Sequence, residues 1–535
     1  MRQAKILDCT LRDGAYLMNK KFGNENINGI IRGLMKANVD IIEIGFLQDE
    51  GTEEGCTVFR NASEAARFIP QNRGNTMFAV LADYSRYSTA NLERNDGTGF
   101  DIVRACFFKN ERKDVLEFCR DIRRKGYKLF VQPVDISGYS DRELIELIED
   151  VNLLEPYGFS IVDTFGSMYT DDLKRIFSLV NHNLDETIKI GLHSHNNMQM
   201  SSALSQEFLG LLGNRVGVID TTISGMGRGA GNTPTELVAQ YMNSKLNYSY
   251  DIDAILDIID NYMENIRTKC KWGYSTEFFL AGAYGAHVNN IAYLKKKNSL
   301  ESKDLRYILN KLTALQRKRY DYDLLEKMYM EALACDVDDR MEIEKLSKAM
   351  GGQDILILAP GKSIKEEACK IKTYVREKHP VVIGVNHMND LIPCNYLFIS
   401  NYKRYEYYKG KDDVGKIQKI ITSNINCGGG GENVTRVSML RLIKCGWLHF
   451  DNSAVLLLRL LDGIGAASIA IAGLDGYSHA DNYATDQLEM ANSYDDPQEL
   501  NRDIRSMLLD YAETRKSKET EVLFLTESRF DDIHI

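Results

Sequence analysis

Two histidines one residue apart, His193-Ser194-His195, end a run that reads as a β-strand, Lys189–His195. Side chains on a strand alternate faces, so both imidazoles point to one side. Imidazole is the commonest protein metal ligand, and this spacing offers two together. Taken alone, the pair fits two polar strand-end residues equally well. Asp13, in Thr10-Leu11-Arg12-Asp13-Gly14, follows the first strand-like run. Its carboxylate would complete a mixed nitrogen and oxygen triad suited to Mn2+, Mg2+, Fe2+, Co2+ or Zn2+. The alternative is a turn aspartate ahead of a glycine. Arg12 can pair with a substrate carboxylate in bidentate fashion, or with a carboxylate of the protein itself. A third feature is Gly225-Met226-Gly227-Arg228-Gly229-Ala230-Gly231-Asn232, leading into Thr233-Pro234-Thr235-Glu236. Thr and Pro there are helix-start residues. Glycines admit a ligand close to the backbone, and a helix start favours anions. Ala230 stands where the dinucleotide fingerprint needs glycine, so that reading fails; a plain loop remains the alternative.

Residues so far apart in sequence need a scaffold that gathers them. Candidate strands are Lys5–Asp8, Ile41–Gly45, Met77–Leu81, Ile102–Phe107, Leu129–Pro133, Ser160–Asp163, Lys189–His195 and Val218–Thr222, with amphipathic stretches between. Eight strands in about 220 residues match one (β/α)8 TIM barrel, and a doubly wound sheet fits the alternation too. The barrel is preferred because Asp13, Glu43, Asp163, His193, His195 and Thr222 fall at or past the C-terminal ends of different strands, where barrels assemble their sites. At 535 residues the chain needs more than one core. Its net charge of −10 disfavours a nucleic-acid partner. The most apolar stretch, from Ala454 to Leu474, is broken by Arg459 and Asp462, against a membrane span. Ten cysteines without a CxxC pair, and a start lacking an apolar leader core, read as a cytoplasmic protein with reduced thiols.

Residues 5–290 resemble the barrel family of metal-dependent aldolases, lyases and carboxyltransferases. The resemblance rests on Asp8-Cys9-Thr10-Leu11-Arg12-Asp13-Gly14, Ile42-Glu43-Ile44-Gly45-Phe46, Val162-Asp163-Thr164, Gly191-Leu192-His193-Ser194-His195-Asn196 and the glycine loop, in that order. The stretch GMGRGAGNTPTE is most similar to the 4-hydroxy-2-oxovalerate aldolase branch. The resemblance implies a divalent metal, Mn2+ or Mg2+ first and Zn2+ or Co2+ next, held by Asp13, His193 and His195 with Asn232 as a further ligand. It implies a 2-oxo acid substrate, Arg12 at the enolate oxygen, Glu43 near the substrate and Tyr274 as a contacting tyrosine. Asp163, Thr164, Thr222, Gly225 and Gly227 are expected around that substrate. Those aldolases carry a histidine base two residues after the motif's glycine, where Tyr16 stands here. Tyrosine titrates near pH 10 and is the poorer base, so the reaction itself stays open: aldol cleavage, a Claisen-type transfer from acetyl-CoA, or a barrel kept as a scaffold.

The expected division is a catalytic barrel over 1–245, a helical extension over 246–349 completing the site, and a Rossmann-like α/β domain over 350–535. Heptad-like spacing through Leu305–Leu333 suggests one helix serving a homo-oligomer. From Asp354 a new series of strands begins, DILILAP, PVVIGVN, YLFIS, KIITSN and SIAIAGLDG. Pro360-Gly361-Lys362-Ser363 is no Walker loop, because Leu356 stands where its first glycine belongs, but the helix start after it can offer amides to a phosphate. Together with Asn386 and Gly473-Leu474-Asp475-Gly476 it would border a nucleotide or nucleotide-sugar site, in a domain faintly similar to pterin diphosphokinases and bacterial sialyltransferases. A purely structural domain is the alternative. Gly428–Gly431 reads as a loop or a binding nest.

Overall fold

A computed structural model describes residues 3–535 except 52, 296–299, 301, 334–336, 410–416, 426–432, 486–487 and 490–495. Gly428–Gly431 therefore lies outside the described residues. The chain separates into two compact units. One runs through Ile291 and takes in Leu312–Tyr320; the other holds Ala292–Lys311 and Asp321–Ile535.

The first unit is a TIM barrel of eight parallel strands: β1 (Ala4–Asp8), β2 (Ile41–Leu47), β3 (Met77–Asp83), β4 (Ile102–Phe107), β5 (Lys128–Pro133), β6 (Gly158–Asp163), β7 (Lys189–Ser194) and β8 (Gly217–Thr221). Each pairs with the next, and β1 closes the ring by pairing both β8, Ala4 opposite Gly217, and β2, Leu7 opposite Ile41. The helices show why they pack outside. In α1 (Asn24–Lys36) the buried residues Ile27, Ile30, Ile31 and Leu34 recur at the three- and four-residue spacing of one helical face. Helix α2 (Val115–Arg124) repeats this with Val115, Phe118, Cys119 and Ile122. Ser140 and Glu143 form a reciprocal capping box that starts α3 (Asp141–Leu154). Beyond β2, the two-residue strand Val58–Phe59 adds to its outer edge. On its other side, the register of β2 against β3 shifts between Glu43 and Phe46, across Gly45. Gly45 has φ +153°, and a Cβ on it would meet the Thr57 carbonyl at 2.1 Å, so only glycine fits.

The stretch expected as one long heptad helix is instead three: Ser302–Lys311, Ala314–Lys318 and Tyr322–Leu333. Thr313 caps a fresh helix start with Gln316 and so interrupts the spacing. The first and third segments belong to one unit and the middle one to the other.

The second unit contains a parallel α/β sheet. Its strands are β9 (Asp354–Leu358), β10 (Val381–Val385), β11 (Tyr396–Ile399), β12 (Gln418–Thr422), β13 (Val434–Val437), β14 (Ser468–Ala472) and β15 (Glu521–Phe524). Their order across the sheet is β13-β12-β11-β10-β9-β14-β15. Val434–Val437 and Glu521–Phe524 are strands that the apolar patterning did not single out. Among the described residues no helix is long and apolar enough to cross a membrane.

Candidate metal centre

Strand β1 ends at Asp8, which accepts from Thr10 N at 3.0 Å and from Thr235 Oγ1 at 2.6 Å. The chain then turns tightly through Thr10–Asp13 and Gly14–Tyr16. Gly14 makes room for the glycine loop: a Cβ there would stand 2.6 Å from Met226 Sδ, which would have to shift. This turn brings Asp13, 1% exposed, to the barrel mouth. Both imidazoles aim at it, with Nε2 of His193 and of His195 at 3.5 and 4.0 Å from Asp13 Oδ2.

The opposite nitrogens explain why Nε2 faces inward. His193 Nδ1 lies 3.0 Å from Asp220 Oδ2, and His195 Nδ1 lies 3.2 Å from the Gly231 carbonyl. Each acceptor holds the proton on Nδ1 and leaves the Nε2 lone pair free, the arrangement that metal-binding histidines show. Burial lowers the His195 pKa to about 4, so that ring is neutral at pH 7. Burial pushes the Asp13 carboxyl upward, but Arg12 and then the two imidazoles outweigh it and hold the group well below the usual range. The glycine loop folds onto β7: Asn196 N donates to the Gly231 carbonyl at 2.8 Å, and Asn232 forms an isolated bridge with His195. Asn232 Nδ2 donates to Met226 O at 3.2 Å. Its Oδ1 is buried without a partner, as is Asp13 Oδ1.

Cys9, Asp13 and His193 offer donor atoms that all lie within 4.8 Å of one another. The Cys9 thiol donates to the Thr221 carbonyl at 3.3 Å, and burial drives its pKa well up. Without a cation beside it the group is a thiol, and a cation bound there would have to displace its proton. Two imidazoles, a carboxylate and an unpartnered carboxamide oxygen make a set that fits a hard or borderline divalent cation. The orphaned Asp13 and Asn232 oxygens are the observation that a cation would explain.

Beneath this set lies a buried ionic layer. Arg12 Nε donates to Glu43 Oε2 at 2.7 Å and Nη1 to Asp13 Oδ2 at 2.8 Å. Arg104, 1% exposed, donates from Nη1 to Glu43 Oε2 at 3.0 Å and from Nη2 to Asp220 Oδ2. Arg104 and Asp220 escaped the motif reading, yet a signal existed. Each is a charged residue in the middle of an otherwise apolar, two-sided buried strand, and such a charge needs a partner.

The remaining expected residues are placed as follows. Asp163 accepts from Ser167 N, Met168 N and Ser194 Oγ, and burial raises its pKa to about 6. Thr164 Oγ1 accepts from Asp135 N at 2.8 Å. Thr222 Oγ1 and Glu43 Oε1 are buried without partners. Gly225, at φ +64°, would set a Cβ 3.0 Å from the Asn232 carbonyl, and Gly227 would set one 2.1 Å from Asn232 Nδ2. Tyr274 is exposed and lines a cavity of about 650 Å3 that Asn232, Gly225 and Trp272 also line. The Tyr16 ring packs edge-on against Phe46 at 5.4 Å, with the Arg228 guanidinium 4.0 Å above it. Desolvation raises the Tyr16 pKa despite that arginine, which makes it a still weaker base.

The HMGL-like family pattern matches residues 3–261. A 4-hydroxy-2-oxovalerate aldolase 2 from Salinispora arenicola is 30% identical over 254 residues, 44% of this chain and 67% of the relative. The chain belongs to the HMGL-like family through its barrel. An oxaloacetate decarboxylase from Mycobacterium tuberculosis is 28% identical over 266 residues, 48% of this chain and 75% of the relative. Among solved structures, the carboxyl transferase domain of Rhizobium etli pyruvate carboxylase has a TM-score of 0.48 at 13% identity, covering 66% of each chain. The HMGL-like match ends at residue 261 and does not reach the second sheet.

Proposed function

We propose that the barrel is a divalent-metal-dependent carbon–carbon lyase acting on a 2-oxo acid through its pyruvate-type enolate. The observation that supports this most is the convergence of two oriented Nε2 atoms and the Asp13 carboxylate beside a pinned arginine. Asp13, His193 and His195, with Asn232 Oδ1, would hold the cation, Mn2+ or Mg2+ before Zn2+ or Co2+. When bound, it supplies positive charge that polarises a ketone and favours the enolate. Arg12 is fixed by Glu43 and Asp13 through Nε and Nη1, which leaves Nη2 to meet the oxygen where charge develops. Because both of its anchors are buried carboxylates, the guanidinium is already in position and needs no reorganisation. Gly225 and Gly227 keep the loop backbone close, and the cavity lined by Tyr274 is roomy enough for the leaving part of a substrate.

One observation favours decarboxylation over aldol cleavage. Retro-aldol chemistry needs a base to take a hydroxyl proton, and Tyr16, with its raised pKa, occupies that place. Loss of CO2 from an oxaloacetate-type acid leaves the enolate without such a base. The oxaloacetate decarboxylase relative accords with this reading.

The test is deuterium exchange at the methyl group of pyruvate, followed by mass spectrometry with Mn2+ added. Exchange is expected, with its loss in EDTA and in His193→Ala. No exchange with any divalent ion would sink the enzymatic reading and leave the scaffold. Pyruvate release from oxaloacetate, from 4-hydroxy-2-oxovalerate, or acetyl-CoA consumption then separates decarboxylase, aldolase and Claisen transferase.

A further inference from the structure

The second sheet grows outward in both directions from β9, to β10–β13 on one side and to β14 and β15 on the other. In open parallel sheets, ligands bind outside the carboxyl ends of the strands at such a reversal. A cavity of about 420 Å3 opens at that place, walled by residues that follow β9, β10, β11 and β14. That volume falls in the range of small-molecule sites. Its floor is bare backbone: a Cβ on Gly361 would lie 2.4 Å from the Gly473 carbonyl, and one on Gly473 would lie 2.1 Å from the Ala359 carbonyl.

The wall chemistry narrows the ligand. The amide expected to cradle a phosphate is taken: Ser363 N donates to Asp475 Oδ2 at 2.8 Å and Ser363 Oγ to Asp475 Oδ1 at 2.5 Å. The Ser363 amide is therefore closed to anions by the chain's own carboxylate. An anionic group has another partner, because half-buried Arg404 lines the cavity and forms no ion pair among the described residues. Arg404 lies on the short helix Tyr402–Tyr408, and Asn401 caps it by accepting from Arg404 N through Oδ1 at 3.3 Å, which leaves its Nδ2 as a donor beside the guanidinium. Across the cavity Asn452 likewise spends Oδ1 on Ala454 N and Val455 N and keeps Nδ2. His449 Nδ1 lies 2.8 Å from Asp503 Oδ2, which occupies that nitrogen and leaves Nε2 for a hydroxyl. Donors for an anion on one side, and an oriented imidazole with a carboxamide on the other, suit a ligand with both a phosphate and hydroxyls.

We propose that this crevice is a second ligand site and that it takes a nucleoside phosphate, free or as the nucleotide part of a nucleotide-sugar. The phosphate lies on Arg404 and Asn401 Nδ2, and ribose hydroxyls lie on His449 Nε2 and Asn452 Nδ2. The site is independent of the barrel chemistry.

Calorimetric titration of the full-length protein in EDTA tests this, using nucleoside mono- and diphosphates, the matching nucleosides, nucleotide-sugars, sugar 1-phosphates and inorganic phosphate. At least one nucleotide is expected to bind, with its nucleoside about tenfold weaker or more. Arg404→Met should weaken the nucleotide by a similar factor, leave the nucleoside unchanged, and retain the wild-type circular dichroism spectrum and melting profile. His449→Gln should weaken nucleoside and nucleotide alike. Absence of nucleotide binding, equal binding to Arg404→Met, or sugar 1-phosphate or phosphate binding as tightly as any nucleotide would each overturn the proposal. A nucleotide-sugar binding more tightly than its nucleotide identifies the activated sugar as the source.

Discussion

Asp220→Asn probes the barrel site without replacing a proposed ligand. Asp220 Oδ2 accepts from His193 Nδ1 at 3.0 Å and also faces Arg104. An asparagine oxygen can still accept from one of them, but the negative charge that makes His193 a stronger ligand is gone. Loss of such a supporting carboxylate costs about 10- to 100-fold in metal affinity, or roughly 1.4–2.8 kcal/mol at 1.4 kcal/mol per decade. The same change leaves Arg104 with Glu43 as its remaining carboxylate partner. Removing one partner from a buried ion pair costs about 3–5 kcal/mol, and Glu43 should keep the loss near the lower bound. Mn2+ titration by calorimetry and urea unfolding of the metal-free protein read the two effects separately. A Mn2+ affinity within twofold of wild type, in a variant that is clearly destabilised, would refute the claim that Asp220 sets the His193 ligand.

Gly227→Ala should lower Mn2+ affinity about tenfold without unfolding the barrel, because its Cβ would displace Asn232 Nδ2 from 2.1 Å and crowd Asp13 Oδ1 at 3.2 Å; unchanged calorimetry would remove Asn232 from the ligand set. Arg12→Lys should slow pyruvate exchange about 100-fold or more, since lysine cannot reproduce the fork to Glu43 and Asp13; a rate near wild type would exclude Arg12 from the chemistry. Burial lifts the Asp8 carboxyl to about 6 from its ordinary 3.8. Its contribution to stability is therefore fullest below pH 3.8 and is lost as pH rises through 6, on the order of 3 kcal/mol. Asp8→Asn should flatten this part of the pH dependence of the urea midpoint between pH 4 and 8, and an unaltered profile would count against it. Ser140→Ala removes one half of the α3 capping box and should cost about 1 kcal/mol in urea unfolding; no change would show the box to be idle.

The barrel was legible because its signal is local. Strands such as Ile102–Phe107 are short β-rich runs with turn residues around them, and the chemistry falls at their ends. His193 and His195 were legible for the same reason, since strand period alone places them on one face. What holds them was not. Asp220, the Gly231 carbonyl and Arg104 act across 27, 36 and 61 or more positions, and no periodicity reports such pairings. The heptad spacing of Leu305–Leu333 misled because a capping box at Thr313 overrides it locally. At Pro360–Ser363 the carboxylate that accepts from Ser363 N could not be foreseen, because it is more than 100 residues away.

The bridge between Asn232 and His195 bears on how the centre would fill. With Asn196 N and His195 Nδ1 both bound to the Gly231 carbonyl, the loop is already fastened to β7 by the chain's own hydrogen bonds. A cation held as proposed would therefore order no segment on arrival, and its affinity would carry no loop-folding entropy. Capture would be a single second-order event whose rate follows ion concentration, and release would be governed by ligand exchange rather than by a gate. A chelator should then strip the metal from the native protein at that ligand-exchange rate, well below the unfolding transition.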